Sequence, residues 1–226
     1  EEPEEQGKSY CKWMGAINDV DKFDPLFFNI SPADAELMDP QQRLMLETVV
    51  HALDDAGYAP EQLPSDTGVF IGVSGHDYAS LLQAYGIETD GFVATGNSLA
   101  MVANRISYKL NIHGPSQAID TACSSSLVAI LRAVESIRSG QCSTAIVGAV
   151  NLALSLEGFE GPYKAGMLSP TGRCHSFSSK ADGYVRGEGV VALLIKPLHL
   201  AERDGDQIVG VLLGGAENHG GHAGSL

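Results

Sequence analysis

Five short runs, most of them apolar at nearly every position, constrain the fold of this chain more than any other feature. They are TGVFIGVS (67–74), QAIDT (117–121), TAIVGAVNLAL (144–154), GVVALLIKP (189–197) and IVGVLLGGA (208–216). A strand with one wet face alternates apolar and polar residues, whereas a strand apolar at consecutive positions is covered on both faces. Runs this short and this rich in valine and isoleucine predict a mostly parallel or mixed sheet between layers of helix. Between them lie segments of helical period. In MDPQQRLMLETVVHALDDAGY (38–58), Asp39 can cap a helix, Pro40 suits its first position, and Gln42 stands where a capping box wants it. Leu46, Val49, Val50, Leu53 and Ala56 share one face, and Gly57 closes the segment. GNSLAMVANRISYKLN (96–111) is helical in pattern, with Met101, Ile106 and Leu110 among its apolar positions. The expected class is α/β, with about five strands and two or three packing helices.

Charge and cysteine usage narrow the function classes. With 14 basic against 28 acidic residues the net charge is −14, which argues against a general nucleic-acid binder or a ligand of anionic membranes. No apolar run approaches the roughly 18–20 residues of a membrane span, and no secretory core opens the chain. The run EEPEE begins a solvated tail or linker end over residues 1–6, and a continuous domain is expected from Gly7 to Leu226. The four cysteines (Cys11, Cys123, Cys142 and Cys174) have neither the density of a disulfide scaffold nor paired zinc-site spacing. A reducing, cytoplasmic setting is expected.

Cys123 has an unusual address. After Thr121 the period switches from strand to helix: Leu127, Ile130, Leu131, Val134 and Ile137 fall on helical spacing, and Gly140 ends the segment. The thiol therefore stands at or just before the first turn of a helix that follows a sharp turn. Unpaired N–H groups and the positive end of the helix dipole stabilise a thiolate there. They can also donate to an oxyanion forming on a carbon attached to the sulfur. Ala122, Ser124, Ser125 and Ser126 are small and leave room for a substrate. The residues alone leave two readings open: a nucleophile, or a structural cysteine, since free cysteine is often buried. Cys11, Cys142 and Cys174 have no such setting and read as structural.

DTACSSSLVAI (120–130) resembles the active-site signature of the β-ketoacyl synthase (ketosynthase) domains of modular polyketide synthases. FDPLFFNISPADAELMDPQQRLMLE, GNSLAMVANRISYKLNIHGPS and MLSPTGRCHSFSSKADGYVRGEG resemble three further ketosynthase blocks, in the family's order. The opening GKSYCKWMGAINDVDKFDPLFF is similar to ketosynthases of bacterial trans-acyltransferase assembly lines. The resemblance implies a thiolase-like fold, in which two similar halves form a layered αβαβα sandwich that dimerises. It implies that Cys123 takes an acyl chain from the phosphopantetheine arm of an acyl carrier protein, its own N–H supplying one oxyanion-hole donor. The acyl-enzyme then condenses with a malonyl-type extender, with loss of CO2. Residues 117–121 and the 96–108 segment become candidate dimer contacts. Tyr163 and Met167 fall in a block that borders the acyl pocket in relatives, with core packing the equal alternative. No covalently bound cofactor and no metal are implied.

The family carries two histidines in a second half, in HGTGT-like and GH-containing motifs, and neither motif occurs here. The expectation is an N-terminal half, whether truncated, processed or naturally split, whose partners are the C-terminal half, an acyl carrier protein and a second copy of itself. Such a half is expected to be inactive alone. A non-elongating gatekeeper, or a scaffold for carrier proteins, is the alternative function. Seven histidines are present. His219 and His222 have H-x-x-H spacing, which could bind a metal or line a substrate channel, and they read as structural or solvent-exposed. His51, His76, His113, His175 and His199 have no local catalytic partner. In SSKADGYVRGEG (178–189), Asp182, Arg186 and Glu188 lack the P-loop pattern. They are expected to pair internally in a structural loop.

Overall fold

The computed structural model describes residues 9–222, so the acidic run at 1–6 lies outside the described residues. The described residues form six strands and eight α-helices. The strands are β1 (Met14–Gly15), β2 (Gly68–Gly72), β3 (Ser116–Ile119), β4 (Ala145–Asn151), β5 (Arg186–Gly187) and β6 (Gly189–Ile195). The helices are α1 (Pro32–Leu37), α2 (Pro40–Ala56), α3 (Asp77–Ala84), α4 (Gly91–Gly96), α5 (Ala100–Leu110), α6 (Ser125–Arg138), α7 (Glu157–Lys164) and α8 (Leu198–Asp204).

One four-stranded sheet, in the order β3-β2-β4-β6, organises the chain, while β1 and β5 form a separate two-residue pair. β2 runs parallel to both β3 and β4, and β6 runs antiparallel to β4 from Ala145↔Ile195 to Asn151↔Gly189. Every residue of β2 is buried, as its unbroken apolar run requires. Successive side chains point to opposite faces. Val69, Ile71, Ile146 and Val150 join a core with Met45, Leu46, Val49 and Leu53 of α2 and Ile106 of α5. Phe70, Ala145 and Val147 pack on the other face against Ala129 and Ala133 of α6. Three helices thus sandwich the sheet, in agreement with the period of the sequence.

α2 is capped by Asp39, whose Oδ1 accepts the Gln41 N–H at 2.8 Å, and Gly57 ends it with φ 76°. The expected capping box does not form. The Asp39 N–H donates to Gly96 O at 2.9 Å, so Gln42 has no donor to reach back to. Its amide instead donates to Gly96 O at 2.7 Å and accepts from Arg105 Nε at 2.9 Å, tying α2 to α5.

Two further expectations are corrected. The buried stripe of α6 consists of Ser125, Ala129, Ala133 and Ser136, whereas Leu127 is 71% exposed. A helix this close to a sheet presents its small residues to it; Ile130 and Ile137 of the expected stripe pack beside them, partly buried, and Leu127 turns outward. The run at 208–216 forms no strand: among the described residues no neighbour supplies its ladder, and Val209 and Leu213 are each 91% exposed. Apolar character cannot make a strand without a partner for its backbone. Before this run, the Lys196 Nζ donates to Asp206 at 2.8 Å and to the Tyr58 hydroxyl at 2.9 Å, clipping the end of α8 to the end of α2. A groove of about 800 Å³, lined by Val134, Leu193, Ile195, Ile208 and Leu212 among others, runs along β6 beneath it. No described helix is long and apolar enough to cross a membrane.

Candidate active site

The turn between β3 and α6 is five residues long, from Asp120 to Ser124, and Cys123 sits in it with its thiol exposed. The residue before the cysteine, Ala122, has φ 54°. A side chain in the left-handed region costs on the order of 1–2 kcal/mol, so surrounding groups must hold it there. They do so from both sides. From the strand side, Asp120 Oδ1 accepts the Ala122 N–H at 2.9 Å and the Ser74 hydroxyl at 2.6 Å. From the helix side, the Ser125 hydroxyl donates to Ala122 O at 2.6 Å and accepts the Thr121 N–H at 2.9 Å. The Ser124 hydroxyl donates to Thr121 O at 2.8 Å.

Those bonds have a consequence for the helix. Serine is a preferred N-cap, and three serines in succession stand at the start of α6. None caps it: Ser124 occupies the cap position without a side-chain bond into the first turn. Asp39, Ser31 and Asp90 do cap their own helices. The hydroxyls of Ser124 and Ser125 are spent on the turn, and the Ser125 N–H itself donates to Ala122 O at 3.1 Å, so the Ser126 and Leu127 amides are the first-turn donors left without a cap from Ser124.

The sheet seats this helix through a glycine. A Cβ on Gly72 would lie 2.8 Å from the carbonyl carbon of Ser125 and 2.8 Å from the amide nitrogen of Ser126. Only hydrogen at that position lets the first turn of α6 rest on β2. Asp120 is held below the usual carboxylate range, chiefly by the Ser74 hydroxyl, then by the Ala122 N–H, with a smaller contribution from the charge of His76. An exposed thiol on a locked turn, next to uncapped helix amides, is suited to attack an acyl carbonyl and to stabilise the oxyanion that follows.

Of the other singled-out residues, Tyr163 is buried with Cys11 and Leu168, and its ring packs on Tyr10 at 5.0 Å between centroids. Core packing is therefore its setting, while Met167 is 53% exposed. The charges of 178–189 do not pair internally. Asp182 accepts from Thr171 Oγ1 at 3.0 Å, and Arg186 bonds Gly158 O and lies over the Phe159 ring. Glu188 accepts the N–H of Ile17 at 3.1 Å and of Ala153 at 3.0 Å, so the loop is a structural clip between segments distant in sequence. His219 and His222 are exposed, and His219 Nδ1 accepts the Gly221 N–H at 2.9 Å. Ser74, Asp120 and Gly72 were not visible as site residues in the sequence. Ser74 and Asp120 lie 46 residues apart, and only the parallel pairing of β2 with β3 brings them together.

Comparison with known proteins agrees with this geometry. The family model described as "Beta-ketoacyl synthase, N-terminal domain" matches residues 1–201. The polyketide synthase PksN of Bacillus subtilis is 50% identical over 223 residues, covering 98% of this chain and 4% of its own length. The polyketide synthase ThaG of Burkholderia thailandensis is 46% identical over 225 residues, covering 100% of this chain and 4% of its own length. Among solved structures, the ketosynthase from module 6 of the bacillaene synthase of Bacillus subtilis superimposes with a TM-score of 0.81 at 44% identity, covering 88% of this chain and 33% of that one. An oxazolomycin ketosynthase domain from Streptomyces albus gives 0.84 at 42% identity, covering 91% and 36%. The chain thus spans a small fraction of the curated relatives and about a third of the solved ones.

Proposed function

Because the chain belongs to the β-ketoacyl synthase family, and carries the N-terminal half of its thiolase-like fold, we propose that it is the nucleophile-bearing part of a polyketide synthase ketosynthase. The observation that carries this reading is the exposed Cys123, behind Ala122 at φ 54° and ahead of an uncapped α6. The thiolate attacks the carbonyl carbon of an acyl thioester on the phosphopantetheine arm of an acyl carrier protein. The carbonyl π electrons move to oxygen, and amides at the head of the turn donate to it. The C–S bond to the arm then breaks, the arm leaves as its thiolate and takes from solvent the proton that Cys123 gave up to it, and the acyl group stays on Cys123.

In the second stage a malonyl-type thioester on another carrier protein loses CO2. The electrons of the broken C–C bond form the new bond to the acyl carbon, and Cys123 departs as a thiolate. The decarboxylating histidines belong to the family's second half, so the residues present here perform acyl capture and depend on that half for condensation. The likeness of the opening block to trans-acyltransferase ketosynthases favours that type of assembly line, in the cytoplasm, with the domain acting as a twofold dimer through β3. β3 pairs only on its β2 side among the described residues, leaving an edge that needs cover.

The test is a condensation assay on the intact ketosynthase, using an acyl thioester and a malonyl-loaded carrier protein. The β-ketoacyl product is expected from the wild type. Cys123→Ala and Cys123→Ser should give none, because a hydroxyl is not usefully ionised by a helix terminus. Condensation surviving in Cys123→Ala would overturn the reading. A monomer at micromolar concentration, by light scattering on the same sample, would refute the dimer.

A further inference from the structure

We propose that Asp120 is a positioning residue for the nucleophile, holding the Cys123 thiol in its reactive place through the two hydrogen bonds it accepts. The proposal rests on the reading of Cys123 as the acylated residue. Three observations converge on Asp120. Its Oδ1 takes the N–H of Ala122, the one residue of the turn in the left-handed region, at 2.9 Å. The same oxygen takes the Ser74 hydroxyl at 2.6 Å, which anchors the turn to the segment just past β2, an inner strand of the sheet. The bonds of Ser125 fix only the opposite flank, Thr121 N–H and Ala122 C=O, so the Ala122 amide has Asp120 as its anchor.

Without that acceptor, Ala122 is released toward the ordinary negative-φ region that alanine prefers. A rotation there swings the next residue, which is Cys123. The helix head would remain, held on β2 at Gly72, while the thiol moved relative to the amides that stabilise the oxyanion. Displacements of ~1 Å from productive geometry cost about 10²-fold in rate. The effect therefore belongs on the chemical step and not on donor binding. It also belongs to geometry: an amide oxygen at position 120 accepts both hydrogen bonds as well as a carboxylate oxygen does.

The experiment measures single-turnover S-acylation of the intact ketosynthase by a butyryl N-acetylcysteamine thioester over a range of concentrations. Asp120→Ala is expected to lower the saturating rate by at least about tenfold, with the half-saturating concentration and melting temperature little changed. Asp120→Asn should retain the rate within about threefold. Asp120→Ala reacting like the wild type overturns the proposal. So does Asp120→Asn as slow as Asp120→Ala, which would mean that charge matters and not geometry. A loss confined to half-saturation would assign Asp120 to substrate binding and overturn it too. Should Asp120→Ala not fold, Ser74→Ala decides: it removes one anchor and leaves the Ala122 bond, so a clear slowing supports the proposal and an unchanged rate refutes it. A wild type that is not acylated at Cys123 would fail the functional reading itself, before any variant is compared.

Discussion

Replacing Gly72 by alanine should slow acylation as well as lower stability. The added Cβ would lie 2.8 Å from two backbone atoms, the Ser125 carbonyl carbon and the Ser126 nitrogen. That is about 0.6 Å inside ordinary van der Waals contact, and neither atom can rotate away. Gly72 is not among the residues with positive φ, so alanine can adopt its backbone conformation and the clash is the whole perturbation. The head of α6 must withdraw by roughly half an ångström, at a cost of about 1–3 kcal/mol for overpacking. Cys123 lies two residues before Ser125 and shifts with it. At about 10²-fold per ångström of misplacement, the loss in acylation rate is on the order of tenfold.

Gly148→Ala is the matched control. Gly148 pairs with Ile71 on the neighbouring strand, and its Cβ would meet Met45 Cε at 2.6 Å and Ile71 Cδ1 at 3.0 Å. Those atoms are the ends of flexible side chains on the α2 face, remote from α6. Gly148→Ala should lower the melting temperature yet acylate within about twofold of the wild type, since the nucleophile turn does not move. The assay is burst-phase acyl transfer with a thermal melt on the same preparation. Gly72→Ala acylating at the wild-type rate, or Gly148→Ala slowing as much, would refute the seating argument.

Three further expectations concern stability. Tyr58→Phe removes the hydroxyl that accepts from Lys196 at 2.9 Å and donates to Asp206 at 2.8 Å, and should cost about 1 kcal/mol in a denaturant titration; an unchanged midpoint would mean the clip is idle. Burial raises the Asp39 carboxyl above its usual range despite the Gln41 N–H. Its contribution to stability is thus complete below the unfolded value near pH ~4 and lost as pH rises through the folded one. The melting temperature of Asp39→Asn relative to wild type should therefore climb as the pH rises above about 4, and a fall would contradict the burial argument. Residues 1–226 expressed alone should aggregate and fail to condense, because Leu193, Val209, Val211 and Leu212 stand exposed around the β6 groove; a well-packed, condensing product would overturn the division of catalytic labour between halves.

What was legible in the sequence is what local rules govern. β2 buries its whole run and β4 all of its own but Ala149 and Asn151, and the structure places both where their apolar runs put them. Asp39, Pro40 and Gly57 bound α2 because caps act within one turn of the helix end. Cys123 at the entry to a helix followed from the change of period alone. What was hidden depends on neighbours distant in the chain. Gln42 suits a capping box until Gly96 takes the amide it would have bonded. Leu127 fits an apolar stripe, but the close seat on Gly72 selects the alanine face of α6. The run at 208–216 has strand composition and no described strand beside it. Tyr163 shares a core with Cys11, a residue 152 positions earlier, which no periodicity reveals.

The central claim is that Cys123 is the acylated nucleophile, and locating the acyl group tests it most directly. The tryptic peptide 110–132 contains Cys123 and no other cysteine. After incubation of the intact ketosynthase with a butyryl thioester, mass spectrometry should find one butyryl group on that peptide, labile to hydroxylamine, and none on the peptides bearing Cys11, Cys142 or Cys174. A butyryl group on any of those three, with residues 110–132 unmodified, would contradict the account.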